Sequence, residues 1–156
     1  MVDRKFGMRI RWAFAVLALA SHAAVASTAA APTQRSIEAR GPTGRLAGTL
    51  AGPGRAPVAL IVPGSGPTDR DGNNPAGIRA APYRLLAEAL AAQDITTVRI
   101  DKRGMFGSAG PGVDPNAVTL DAYVDDMRAW VAAARSHNSA PCVWLIGHSE
   151  GGLVAI

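Results

Sequence analysis

Cys142 to Ile156 reads "CVWLIGHSEGGLVAI": an apolar run, a glycine-rich bend centred on Ser149, and a second apolar run. Val143 to Ile146 is short, continuous and apolar, as suits a buried strand. Gly152 to Ile156 can continue a helix. Between them, Gly147-His148-Ser149-Glu150-Gly151 has to turn the chain from strand to helix within a few residues. A turn that tight forces Ser149 into strained backbone geometry, and side chains at Gly147 and Gly151 would collide with neighbouring elements. It yields an exposed Oγ at the carboxyl end of a strand. The helix N-terminus beside it favours a developing anion.

Strand-to-helix alternation recurs upstream. Ser36–Arg40 and Arg45–Leu50 read as two short strands joined across the turn-rich "GPTG". "VALIV" (Val58 to Val62) is a second fully apolar run, followed by a long Gly/Pro/Asp/Asn-rich loop from Pro63 to Gly77. Tyr83 to Gln93 is predicted helical, with Leu85, Leu86, Ala89 and Leu90 as its apolar stripe. "ITTVRI" (Ile95 to Ile100) is the next strand. Leu120 to Ala134 is a second helix, with Asp121, Asp125 and Asp126 early and Arg135 late, as a helix dipole prefers. Strands alternating with helices imply parallel βαβ units. The expected fold class is α/β, a mostly parallel sheet with flanking helices and an N-terminal strand pair.

Charge and cysteine content narrow the function classes. Arg4, Lys5, Arg9 and Arg11 against Asp3 give the first 26 residues +3 of the chain's formal +4. The body therefore carries no basic patch for phosphates, and no nucleic-acid partner is expected. "MVDRKFGMRIR", "WAFAVLALA" and the small residues "AVAS" have the three parts of a secretory signal, with cleavage expected after Ala26 or a few residues later, within Ser27 to Ala31, rather than retention as an uncleaved membrane anchor. Residues 1–26 are thus expected to be a signal peptide, 27–34 a linker and 35–156 the folded part. The protein is expected in the periplasm or outside the cell, off the membrane once cleaved. Cys142 is the only cysteine, so no internal disulfide can form. In its apolar run it is expected to be a small buried hydrophobe. No His/Cys cluster has metal spacing and no glycine loop carries a Walker lysine, so no metal or cofactor is implied.

"LIGHSEGG", with "LIVPGSGPTDRDGNNP" and "VRIDKRGMFGS" upstream in that order, resembles the α/β-hydrolase superfamily, in its serine-aminopeptidase-like and esterase-like branch. The resemblance runs from about Gly44 onward. It implies Ser149 as nucleophile, Gly147 and Gly151 as the elbow glycines, and the backbone N–H groups of Glu150 and Ser65 as oxyanion donors. Where that family commonly opens its oxyanion loop with His-Gly, this chain has Pro63-Gly64. The implied substrate is a small-molecule ester or a peptide-like amide.

Other polar residues have plainer roles. His148, adjacent to the nucleophile on a sharp turn, points away from it and is expected to pack rather than act as base. His137 is expected at a helix end, and His22 leaves with the signal. Asp101 and Arg103 are expected to tie the "DKRG" turn together, and Asp69, Arg70 and Asp71 to lie in a solvated loop. In the family the triad order is Ser, acid, His. The later members are not in "GLVAI", so the chain is expected to be the N-terminal part of a longer hydrolase, inactive alone and with "VWLI" left as an apolar, unpaired sheet edge prone to aggregation. The alternative is a non-catalytic α/β module binding a small molecule or nucleotide.

Overall fold

The computed structural model describes residues 32–54, 57–110, 113–140 and 142–156. The expected signal segment and most of the linker lie outside these residues. In chain order the elements are β1 (Gln34–Gly41), β2 (Gly44–Ala51), β3 (Val58–Val62), α1 (Pro82–Ala91), β4 (Thr96–Ile100), a 3₁₀ turn (Phe106–Ser108), α2 (Leu120–Asn138), β5 (Val143–Gly147) and α3 (Glu150–Val154). Among the described residues no helix is long and apolar enough to cross a membrane.

The strands form one mixed sheet in the order β1-β2-β4-β3-β5. β3 pairs in parallel with β4 and with β5, while β1 and β2 make a hairpin whose second strand joins β4 antiparallel. Every residue of β3 and β4 is buried, as continuous apolar runs between two helical layers should be. Side chains alternate along β3. Val58, Leu60 and Val62 join the larger core beneath α2, and Ile61 meets Tyr83 and Ala87 of α1 on the other face. Trp130 of α2 is 1 % exposed and lies over Gly48, where a Cβ would come within 2.8 Å of the indole ring.

Expectations at α1, α2 and Cys142 are corrected. The buried face of α1 is Tyr83, Ala87 and Ala91, at i, i+4 and i+8, while Leu85 and Leu86 are exposed. Small residues let the helix approach the sheet, and larger leucines on that face would hold it off. Helix α2 runs one turn past Ala134 to Asn138, whose Nδ2 donates to Ala134 O at 2.8 Å; Ser139, in the left-handed region, ends it. β5 is the sheet edge, as expected for this chain, and Trp144 on it is 65 % exposed. Cys142, just before that edge strand, is likewise exposed rather than buried.

The long loop after β3 is coil in composition but not in bonding. From Thr68 to Asn74 each successive backbone N–H has an acceptor: Gly66 O, Asn73 O, Asp101 Oδ1, Asp69 Oδ1, Asp69 O, Asp69 Oδ1 and Ile78 O. Asp69, Arg70 and Asp71 are therefore not the solvated surface expected. Arg70 pairs with the buried Asp101 at the end of β4, and Asp71 with Arg99, an arginine buried within β4. Arg99 also donates from Nη2 to Gln34 Oε1 at 2.7 Å. Burial lowers the Arg99 pKa and the Asp71 carboxylate offsets part of that.

Candidate active site

β5 ends at Gly147 and α3 begins at Glu150, leaving His148 and Ser149 to make the turn. Ser149 sits at φ 54°, ψ −122°, a region costly for any residue with a Cβ. The turn is closed by Gly151 N–H to His148 O and Gly152 N–H to Ser149 O, both at 2.9 Å, and tied to β3 by His148 N–H to Val62 O at 3.1 Å. Both glycines are required by space. A Cβ at Gly147 would overlap Gly151 O and lie 2.5 Å from Gly152 N. One at Gly151 would overlap Val62 O and lie 2.6 Å from Pro63 O. Ser149 itself is exposed.

The loop after β3 comes directly against this turn. A Cβ on Gly64 would lie 3.2 Å from Ser149 Cβ and 3.0 Å from His148 Nδ1, so the Gly64–Ser65 backbone is beside the serine. Glu150 is the first residue of α3, where backbone N–H groups have no intrahelical acceptor. The structure thus brings Gly147, Ser149, Glu150, Gly151 and the Gly64–Ser65 segment together.

Two residues that sequence reasoning missed hold that segment. Gly64 N–H donates to the Tyr83 hydroxyl at 3.4 Å, and that hydroxyl lies 2.8 Å from His148 Nδ1. The tyrosine hydroxyl thus links Gly64 N–H to the imidazole, the direction of its bond to Nδ1 being set by the histidine tautomer. His148 is therefore a partner of Tyr83. On the other side Lys102 Nζ donates to Gly64 O at 2.6 Å and lies 3.6 Å from Glu150 Oε2. Burial lowers the Lys102 pKa below the ordinary lysine value, and Glu150 offsets part of that. The one local signal was a lysine immediately after a buried strand. Tyr83 gave none beyond opening a helix.

Asp101 and Arg103 tie together more than their own turn. Asp101 accepts from Arg70 N at 2.9 Å, Arg70 Nε at 3.0 Å and Gly107 N at 2.9 Å, joining the loop after β3 to the 3₁₀ turn. Arg103 makes a two-point pair with Asp126 of α2, at 2.8 and 2.5 Å, and donates to Thr43 Oγ1 at 2.7 Å. The Asp126 hydrogen bonds raise the Arg103 pKa. His137 lies exposed in the last turn of α2. No group of three His, Cys, Asp or Glu side chains among the described residues is placed to hold a metal.

Residues 77–156, about half of the chain, match the family model described as serine aminopeptidase, S33. No curated protein matches the chain. Similar solved structures include an α/β hydrolase from Penicillium sp. sh18, 22 % identical with a TM-score of 0.60 over 78 % of this chain and 39 % of that one. An esterase from Pyrococcus furiosus is 20 % identical, TM-score 0.63, over 80 % of this chain and 45 % of its own. An epoxide hydrolase from an endophytic Streptomyces is 26 % identical, TM-score 0.58, over 80 % and 32 %. The chain spans less than half the length of each of these three structures.

Proposed function

Because the chain belongs to the serine aminopeptidase S33 family of α/β hydrolases, we propose that Ser149 is the nucleophile of a hydrolase cleaving an ester or amide of a small-molecule or peptide-like substrate through an acyl-serine. The observation that carries this reading is the backbone of Ser149, in positive φ between two glycines that admit no Cβ. A fold does not hold a serine in such a conformation without over-determining it.

In the proposed reaction Ser149 Oγ bonds to the substrate carbonyl carbon and gives its proton to a base. The carbonyl π pair moves to oxygen, where the N–H groups of Glu150 and Ser65 receive the negative charge. Collapse of this adduct breaks the bond to the leaving alcohol or amine, which takes the proton. Water then repeats the addition at the acyl carbon, releasing the acid and restoring the Ser149 hydroxyl.

The base and its orienting acid are proposed to come from a later part of a longer polypeptide. In support, His148 is held by Tyr83, His137 stands in the last turn of α2, and the chain covers less than half of each similar structure. The 156-residue chain alone is then expected to retain only oxyanion-hole catalysis, roughly 10³ to 10⁴ over water. The test is labelling of the full-length protein with a fluorophosphonate. Ser149 should carry the label and Ser149→Ala should carry none. Equal labelling of the variant would overturn the assignment, and an unreactive Ser149 in an otherwise folded full-length protein would favour a non-catalytic binding module.

A further inference from the structure

The Lys102 side chain reaches both the Gly64–Ser65 peptide and the side chain of Glu150, the residues of the two candidate oxyanion donors. Its Nζ is 2.6 Å from Gly64 O, 3.6 Å from Glu150 Oε2 and 5.6 Å from the centroid of the Tyr123 ring, and the side chain is 6 % exposed. In a trans peptide the C=O and N–H of one unit point in opposite directions. Holding Gly64 O toward β4 therefore fixes the direction of Ser65 N–H, on the side of the peptide away from the lysine. Tyr83 meanwhile holds Gly64 N–H, so the two peptide units around Gly64 are gripped from α1 and from β4.

We infer that Lys102 is a positioning residue of the oxyanion hole: its ammonium fixes the Gly64–Ser65 peptide and, through the Glu150 carboxylate, the first turn of α3 that offers the second donor. The inference rests on the reading of Ser149 as nucleophile. A charge-assisted hydrogen bond is the strong form of the contact. It is suited to resisting a flip of the Gly64–Ser65 peptide, which glycine φ/ψ freedom would otherwise permit. The Glu150 carboxylate and the Tyr123 ring face favour a cation here, but at 3.6 Å and 5.6 Å they are looser than the 2.6 Å contact with Gly64 O. Burial disfavours the charged form here, and an aliphatic side chain of similar length would fill the same space. What the ammonium supplies, and a hydrocarbon cannot, is the grip on Gly64 O.

The experiment compares full-length wild type, Lys102→Met and Lys102→Met/Glu150→Gln. Lys102→Met should fold, with a cooperative melt, and Ser149 should still label to full stoichiometry with a fluorophosphonate. Its labelling rate and kcat should fall together by about 100-fold, the scale of losing one oxyanion donor. KM should change by less than about twofold, because the loss is confined to the transition state. The double variant, which removes the unpaired carboxylate, should stay slow. Recovery of wild-type kcat in the double variant would show that Lys102 only neutralises Glu150 and would overturn the inference. Unchanged rates in Lys102→Met, with Ser149 still labelled, would overturn it as well and leave the nucleophile reading standing. A wild type that does not label at Ser149 would overturn both.

Discussion

A Cβ at Gly151 would press on the carbonyls of Val62 and Pro63, backbone atoms at the end of a fully buried strand that has no room to retreat. Gly151→Ala is therefore expected to destabilise by about 1–3 kcal/mol, the usual range for overpacking, and to slow fluorophosphonate labelling of Ser149 in parallel. Thermal melts of the full-length protein with labelling kinetics on the same preparation check this. A variant that melts and reacts like wild type would mean the elbow is looser than its contacts imply. At this scale the sequence was informative wherever the reason was local. Two glycines flanking a serine between apolar runs state the turn and its steric demand. The grip on Gly64 was not legible, because Tyr83 lies 19 residues from it and Lys102 lies 38, and only the sheet brings them together.

Helix α2 is fastened by chemistry that its hydrophobic pattern does not display. The Arg103–Asp126 pair is buried at both ends, with side chains 8 % and 3 % exposed, and it joins α2 to the turn after β4 and to the β1–β2 hairpin through Thr43. Asp126→Ala would leave the guanidinium buried without a counter-charge. The expected loss is about 3–5 kcal/mol, whereas Arg103→Met/Asp126→Leu should recover most of it. Chemical denaturation of the two variants beside wild type makes the measurement. Equal losses in both would show that the loss does not come from the unpaired guanidinium, and no loss in either that α2 is held by its apolar face alone. The same limit explains the reading of α1. Leucines signal burial by composition, but the sheet selected the alanine face because close approach needs small side chains, which a count of apolar residues undervalues.

Over the whole molecule, the α/β class was legible, and most element boundaries to within two residues, because strand and helix periods differ and Gly/Pro clusters punctuate them. The strand order was not. The edge position of β5 was expected from the family's strand order, but that the N-terminal hairpin continues the sheet antiparallel through β4 follows from pairings that leave no local trace. Nor could composition reveal the state of the segment between β3 and α1. Its seven consecutive satisfied amides, and its two ion pairs into β4, make its opening contingent on disturbing the central sheet. Its amide protons should accordingly behave as sheet protons. In deuterium oxide, peptides spanning 68–74 are expected to exchange on the timescale of β4, and Asp101→Asn to speed them by about tenfold or more while β5 stays unchanged. Mass-spectrometric exchange that finds 68–74 as fast as the chain termini would refute this. Otherwise the most turn-rich stretch of the protein is among its slowest to breathe, and the serine's neighbour arrives at each encounter with substrate already in place.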